Sequence, residues 1–401
     1  MRLHVAGAAI ACLSLSILPL AKAIAFEDTK PGIGAIVAAA ITPVMKQYGI
    51  PGMAVGVVSG GHDYVFTYGV VSKVTGLPVT HDTLFEIGSI SKIFNATLAS
   101  YAQLEGDLSL SDMASQYLPS LRGTAFDKVS LIELGTYTPG GMPLQVLDGI
   151  DNNAKLIAYY KDWKPAYAPG TVRTYSNLSI GLLGLIAAKT MHADYTTLLQ
   201  NQMFPALGLH HSFMSIPASE VANYAQGYED DDTPIRMTFD PLTPETGGVR
   251  ITAGDLLRFL AINMGDVSVD TAWQRAVTAT HTGYFQTKSG GMVQDLVWEQ
   301  YRLPVTLSAL EAGNSYGVIL DPHPVTAISP PLPPRMDVLL DKTGSTNGFG
   351  AYVALIPADG VAVVLLANKN YPIPARVSAA YQILTRLNAN IPRLATPSAK
   401  N

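Results

Sequence analysis

MDVLLDKTGSTNGFGAYVALIPADGVAVVLL, residues 336–366, contains three strand-like runs separated by turn residues. The runs are 336–342, 349–356 and 361–366, and Asp359-Gly360 is a pair suited to a tight hairpin. Connections this short join antiparallel neighbours, because a parallel pair needs a crossover of a dozen residues or more. Residues 375–387 then read as a closing helix. The other end of the chain repeats the pattern. Ile33, Ile36, Val37, Ala40, Ile41 and Val44 recur at helical spacing within 32–48. Pro51-Gly52 stops that helix, and 53–59 and 64–72 read as strands around a Gly60-Gly61-His62-Asp63 turn. The expectation is an α/β (α+β) fold: an antiparallel sheet built from both chain ends, flanked by N- and C-terminal helices and packed on a mostly helical middle.

That middle shows its own signals. Residues 89–105 end at Gly106, a helix stop. Residues 178–189 are apolar on nearly every face, as in a buried helix. Thr252 and Asp255 have the spacing of a capping box ahead of Leu256-Leu257-Arg258-Phe259. Residues 228–247 read as a Pro-containing loop whose acidic start, Glu229-Asp230-Asp231-Asp232, is expected to be a solvated tip. The predicted division is a sheet domain from 24–88 and 290–401 and a helical domain from 89–289.

The first 23 residues stand apart. Arg2 and His4 precede an apolar run from Val5 to Leu20, followed by Ala21-Lys22-Ala23. This is the pattern of a secretory signal peptide, and the run is shorter than the ~20 residues a membrane span needs. The one cysteine of the chain, Cys12, lies inside it. The mature chain is therefore expected to hold its fold by core packing, without disulfides. The formal charge is −5 with no Lys/Arg run, which disfavours nucleic acid and anionic membranes as partners. No later segment is apolar enough to anchor the chain in a membrane.

Three short motifs carry chemistry. In Ser89-Ile90-Ser91-Lys92 the serine and lysine are three apart, so on a helix they share a face. A serine hydroxyl is a weak nucleophile and needs such a base within reach. Ser91 is the positional rival but lacks a lysine at helical spacing. In Tyr175-Ser176-Asn177 the outer residues project the same way if the segment is extended. Lys342-Thr343-Gly344 ends a predicted strand: the lysine supplies fixed charge, and the glycine lets a substrate backbone lie close. Each motif alone is weak; their combination, order and contexts are specific.

The set resembles the penicillin-recognising serine enzymes, and Y-S-N in the middle resembles the class C serine β-lactamases, cephalosporinases, with their peptidase and esterase relatives. Longer strings carry the resemblance over nearly the whole chain after the leader: GTYTPGGMPLQ at 135–145, AVTATHTGYF at 276–285, KTGSTNGFGAYVALIP at 342–357 and LLANKNYPIPAR at 365–376. It implies an active site at the interface of the two domains and hydrolysis of β-lactams, cephalosporins preferred. It further implies a periplasmic monomer with no cofactor and no metal.

The resemblance also implies roles. Ser89 is the acylated nucleophile, Lys92 and Tyr175 handle protons, and Lys342 sets the local field. Gln145 and Asn177 hold the amide of the substrate side chain. The backbone N–H groups of Ser89 and Ser345 form the oxyanion hole. Thr343, Ser345 and Arg376 receive the substrate carboxylate, directly or through water, and Gly344 and Asn370 complete the substrate-binding set. Free tyrosine titrates near ~10. One ammonium at ~4 Å, at an effective dielectric of ~20, favours its phenolate by roughly 4 kcal/mol before desolvation pushes back. A tyrosinate base and a neutral Lys92 base both remain open, because the sites titrate together.

Two positions depart from the pattern. Gly247 stands where the class usually has a tyrosine, and Ile373 where it often has an asparagine, so a roomier side-chain pocket is expected. Trp298-Glu299 and His281 are read as structural, and His210-His211 lacks metal-ligand spacing. The alternative activity is a D-Ala-D-Ala carboxypeptidase or esterase. A penicillin-binding sensor would expect an anchor, and a metal hydrolase would expect a ligand set.

Overall fold

The computed structural model describes residues 30–387. The expected leader, with Cys12, and the residues after 387 lie outside them. Six helices matter for the site: α1 (Lys30–Tyr48), α2 (Ser91–Glu105), α3 (Asn177–Thr190), α4 (Thr243–Thr246), α5 (Ala253–Met264) and α6 (Ile373–Leu387). Ten strands form the main sheet: β1 (Gly52–Ser59), β2 (His62–Gly69), β3 (Val172–Arg173), β4 (Gly283–Thr287), β5 (Val293–Asp295), β6 (Glu299–Arg302), β7 (His323–Leu332), β8 (Val338–Ser345), β9 (Gly350–Ile356) and β10 (Val361–Ala367). Their order is β2-β1-β10-β9-β8-β6-β5-β4-β7-β3, antiparallel throughout.

The chain ends meet as expected: β1 pairs with β10, Met53 opposite Ala367 and Val58 opposite Ala362. The hairpin before it is tighter than its sequence suggests. Ser59 pairs with His62, so Gly60-Gly61 alone make the turn, with φ of 59° and 74°. Two successive left-handed residues match strand twist, and glycine adopts them freely. β9 and β10 are buried at every position because both sheet faces are covered. Met53, Val55 and Val57 pack with Val363, Leu365 and α6 on one face. Ala54 and Val58 pack with Val364, Leu366, Leu257 and the helical core on the other.

The middle of the chain is helical but not separate. α2 and α3 are buried along most of their length, and α2 ends on the left-handed Gly106 at φ 85°. The expected boundary at 289/290 falls inside the hairpin between β4 and β5. β3 leaves the helical segment to pair with His323 and Pro324, and α5 covers the inner sheet face. Thr252 caps α5 by accepting the Asp255 N–H at 3.2 Å. Asp255 does not complete the box. Its carboxylate instead accepts the His211 N–H at 2.6 Å and the Ser212 hydroxyl at 2.8 Å. The acidic tip is more than solvated, since Asp232 pairs with both Lys73 and Lys369 at 2.7 Å.

Candidate active site

Ser89 sits in a 3₁₀ turn, Gly88–Ile90, that runs directly into α2; α2 itself starts at Ser91. One turn on, the buried Lys92 donates to Ser89 Oγ at 2.8 Å and to the Thr246 carbonyl at 2.6 Å. Ser91 points the other way. It is fully buried and accepts the Val249 N–H at 3.2 Å, which leaves Ser89 as the serine facing the crevice.

Backbone packing places this turn against β8. A Cβ at Gly344 would lie 2.0 Å from the Ile87 carbonyl, and one at Gly88 would lie 2.4 Å from the Ser345 carbonyl. Gly344 is therefore required by the approach of the Ser89 turn, a different reason from the substrate contact read in the sequence. The same packing brings the Ser89 and Ser345 segments side by side.

Tyr175 lies in the extended stretch between β3 and α3. Ser176 caps α3 by accepting the Ser179 N–H at 3.1 Å, which turns Tyr175 and Asn177 toward the same space. The Tyr175 hydroxyl is buried with no hydrogen-bond partner of good geometry among the described residues. Lys342 Nζ is 5.1 Å and Lys92 Nζ 5.5 Å from its ring centroid. Burial pushes the phenol up, but Lys342 and then Lys92 outweigh it and bring it down to about 8. Burial takes the Lys92 ammonium down to about 8 against the pull of Tyr175, with Lys342 adding to the fall. The two groups thus share a proton range.

Lys342 behaves differently. Burial alone would lower its pKa, yet Glu299 and Tyr175 hold it above the ordinary lysine value. Glu299 Oε1 is 3.7 Å from Lys342 Nζ and 3.1 Å from Arg173 Nη2, all three side chains being buried. Arg173 also donates to Gln294 and to the Val318 carbonyl, and its guanidinium lies 5.6 Å from the Tyr175 ring. Glu299, expected to be structural, thus faces the site, and so does Arg173, which no motif marks in the sequence. The available signal was a second acid, Glu299, four residues after Asp295 in a stretch otherwise rich in apolar residues.

The crevice encloses about 430 Å³. Asn177 Nδ2 donates to Gln145 Oε1 at 2.6 Å, which joins the two residues expected to hold an amide. Thr343, Ser345 and Asn370 line the same crevice. Arg376 does not reach the open space: it is 1 % exposed. Its donors go to Gly344 O at 2.8 Å, Ser345 Oγ at 2.9 Å, Asn370 Oδ1 at 2.5 Å and the Tyr371 carbonyl. Gly247 and Ile373 line the walls. A Cβ at Gly247, whose φ of −161° lies outside the left-handed region, would come no closer than 3.9 Å to the Gly88 backbone. His281 is buried against Trp298, with Nε2 2.9 Å from Asn263 Oδ1, and burial takes it down to about 4. No group of three or more His, Cys, Asp or Glu among the described residues could hold a metal.

A serine within reach of a lysine, a tyrosine lowered by two ammonium groups, and a crevice between sheet and helices are the parts of a serine hydrolase that works through an acyl-enzyme. The sequence profile of the Beta-lactamase family matches residues 37–387, and the chain belongs to that family. It is similar to a β-lactamase of Pseudomonas fluorescens, 47% identical over 353 residues, 88% of this chain and 98% of the relative. Among solved structures it resembles a class C β-lactamase in complex with cefoxitin (TM-score 0.86, 47% identity, 89% of this chain and 99% of the other). It also resembles a D-alanine carboxypeptidase from Burkholderia cenocepacia (TM-score 0.85, 51% identity, 89% and 100%). The chain is a serine β-lactamase of class C.

Proposed function

We propose that this enzyme opens β-lactam rings, cephalosporins foremost, through an ester on Ser89. Ser89 Oγ attacks the lactam carbonyl carbon while its proton passes to the Lys92–Tyr175 pair. The C–N bond breaks, the ring nitrogen takes a proton from that pair, and the acyl group stays on Ser89. Water then gives a proton to the pair, adds to the ester and releases the opened acid, restoring the Ser89 hydroxyl. The amides of Ser89 and Ser345 stabilise the oxyanion in both halves. Lys342 remains a cation and sets the field. Gln145 and Asn177 hold the side-chain amide. Thr343, Ser345 and Asn370 meet the substrate carboxylate, and Arg376 acts by holding Ser345 and Asn370 in place.

The observation that carries this reading is the 2.8 Å contact from Lys92 Nζ to Ser89 Oγ, beside a tyrosine brought down to about 8. The test is hydrolysis of a chromogenic cephalosporin by the wild type and by Ser89→Ala. Turnover abolished in the variant supports it, and turnover retained removes Ser89 from the mechanism. A second reading, release of terminal D-alanine, is favoured by the likeness to the carboxypeptidase and is tested with a D-Ala-D-Ala peptide. No helix among the described residues is long and apolar enough to cross a membrane. We further propose that the chain is exported on residues 1–23 and acts as a monomer in the periplasm.

A further inference from the structure

Thr246 supplies the carbonyl that receives the Lys92 ammonium, yet it belongs to α4, a single turn of four residues. One turn holds itself poorly, because helix nucleation fixes several residues for one hydrogen bond. What fixes it lies outside. Two glycines one turn apart on α3 make room for it. A Cβ at Gly181 would lie 2.9 Å from the Leu242 side chain, and a Cβ at Gly184 would lie 2.7 Å from the Asn95 amide and 2.8 Å from Glu245 Cγ.

Asn95 fills the junction. It lies three residues beyond Lys92 on α2, fully buried. Its amide nitrogen donates to the Ile180 carbonyl of α3 at 2.9 Å and to the Glu245 carbonyl of α4 at 3.1 Å. One side chain thus ties three helices together next to the acceptor of the catalytic lysine. The Glu245 carboxyl beside it is 3 % exposed, and its Oε2 has no partner among the described residues. Burial pushes that acid up to about 8, so near neutral pH it stays largely uncharged and does not repel the α4 carbonyls.

We propose that Asn95 is a positioning residue for the reaction: it pins α4 to α2 and α3 and so sets the Thr246 carbonyl over Lys92. The inference rests on the reading of Lys92 as half of the proton-handling pair. A carbonyl at 2.6 Å favours the ammonium form. If α4 slips, Lys92 holds its proton less tightly, and the field on Tyr175 weakens with it. The pH profile should move as well as drop, upward in pH if tyrosinate is the base and downward if neutral Lys92 is.

The test compares Asn95→Ala with Gly184→Ala, which disturbs the same junction by crowding rather than deletion. The comparison variant is Asn263→Ala, another buried asparagine, whose amide serves the Phe259 carbonyl. Folding is followed by thermal unfolding, and kcat/KM on a cephalosporin is measured across pH. Both junction variants should lose roughly ten- to hundredfold in kcat/KM with a displaced acid limb, while Asn263→Ala loses stability with the limb in place. Gly184→Ala and Asn95→Ser carry the test should Asn95→Ala fail to fold. Junction variants that fold and keep the wild-type limb beside an inactive Lys92→Met overturn this inference alone. An active Lys92→Met overturns the reading of the site beneath it as well.

Discussion

Glu299→Gln removes the buried anion that faces Lys342 without changing the volume of the side chain. The ion pair spans 3.7 Å, and at an effective dielectric of ~20 such a pair is worth about 4 kcal/mol. That converts to roughly 3 pH units of proton affinity at Lys342. The sign follows from the charges. Glu299 favours the ammonium, so its neutral replacement releases the Lys342 proton at lower pH, and the nearby Arg173 cation adds to the effect. Once Lys342 is neutral, Tyr175 loses its stronger cationic neighbour and substrate loses a fixed charge. The alkaline limb of kcat/KM should therefore fall by as much as roughly 3 pH units in the variant, with the acid limb far less affected. Steady-state hydrolysis of a chromogenic cephalosporin from pH 5 to 10 reads this directly. An alkaline limb that stays in place in a folded Glu299→Gln enzyme would refute the claim that Glu299 holds Lys342 charged.

Other outcomes follow from the same geometry. Tyr175→Phe and Lys92→Arg should each slow acylation by roughly a hundredfold or more, and wild-type single-turnover rates in either variant would remove that residue from proton transfer. Gly247→Tyr should fold, because its φ is not in the left-handed region and a Cβ would come no closer than 3.9 Å to the Gly88 backbone. It should lower kcat/KM for bulky oxyimino-cephalosporins by roughly tenfold relative to small ones, and unchanged selectivity would sink the roomier-pocket reading. Asp341, buried and facing Glu299, is pushed from 3.8 up to about 8 by burial and then by that neighbour. It keeps its proton in the fold while the unfolded chain loses it, so it costs stability as pH rises from about 4 to about 8, by up to about 1.4 kcal/mol per pH unit. Asp341→Asn should flatten the dependence of unfolding free energy on pH across that window, and an unaltered slope would contradict the assignment.

The sheet was legible because its strands are apolar runs broken by residues with specific turn chemistry. Gly60-Gly61 closes the β1–β2 hairpin, and Asp359-Gly360 ends the four-residue turn 357–360 between β9 and β10. Ser89, Lys92, Tyr175 and Lys342 were legible as spaced motifs. The rest depends on contacts between residues far apart in the chain. Arg173 and Glu299 are 126 positions apart and meet only once β3 and β6 are in place. Only the class C resemblance implies that Arg376 meets the substrate carboxylate; folded, its donors are taken by Gly344, Ser345, Asn370 and Tyr371. β3 has two residues, too few to show a period. The capping role of Asp255 was misread because its nearest partners, His211 and Ser212, come from another segment.

The mechanism turns on which atom is acylated. Mixing the enzyme with a slowly released β-lactam, quenching in acid and mapping the adduct by peptide mass spectrometry locates it. The prediction is one acyl group per chain, on Ser89, lost over time in the wild type and absent in Ser89→Ala. An adduct on Ser91, or a full-strength adduct in Ser89→Ala, would contradict it.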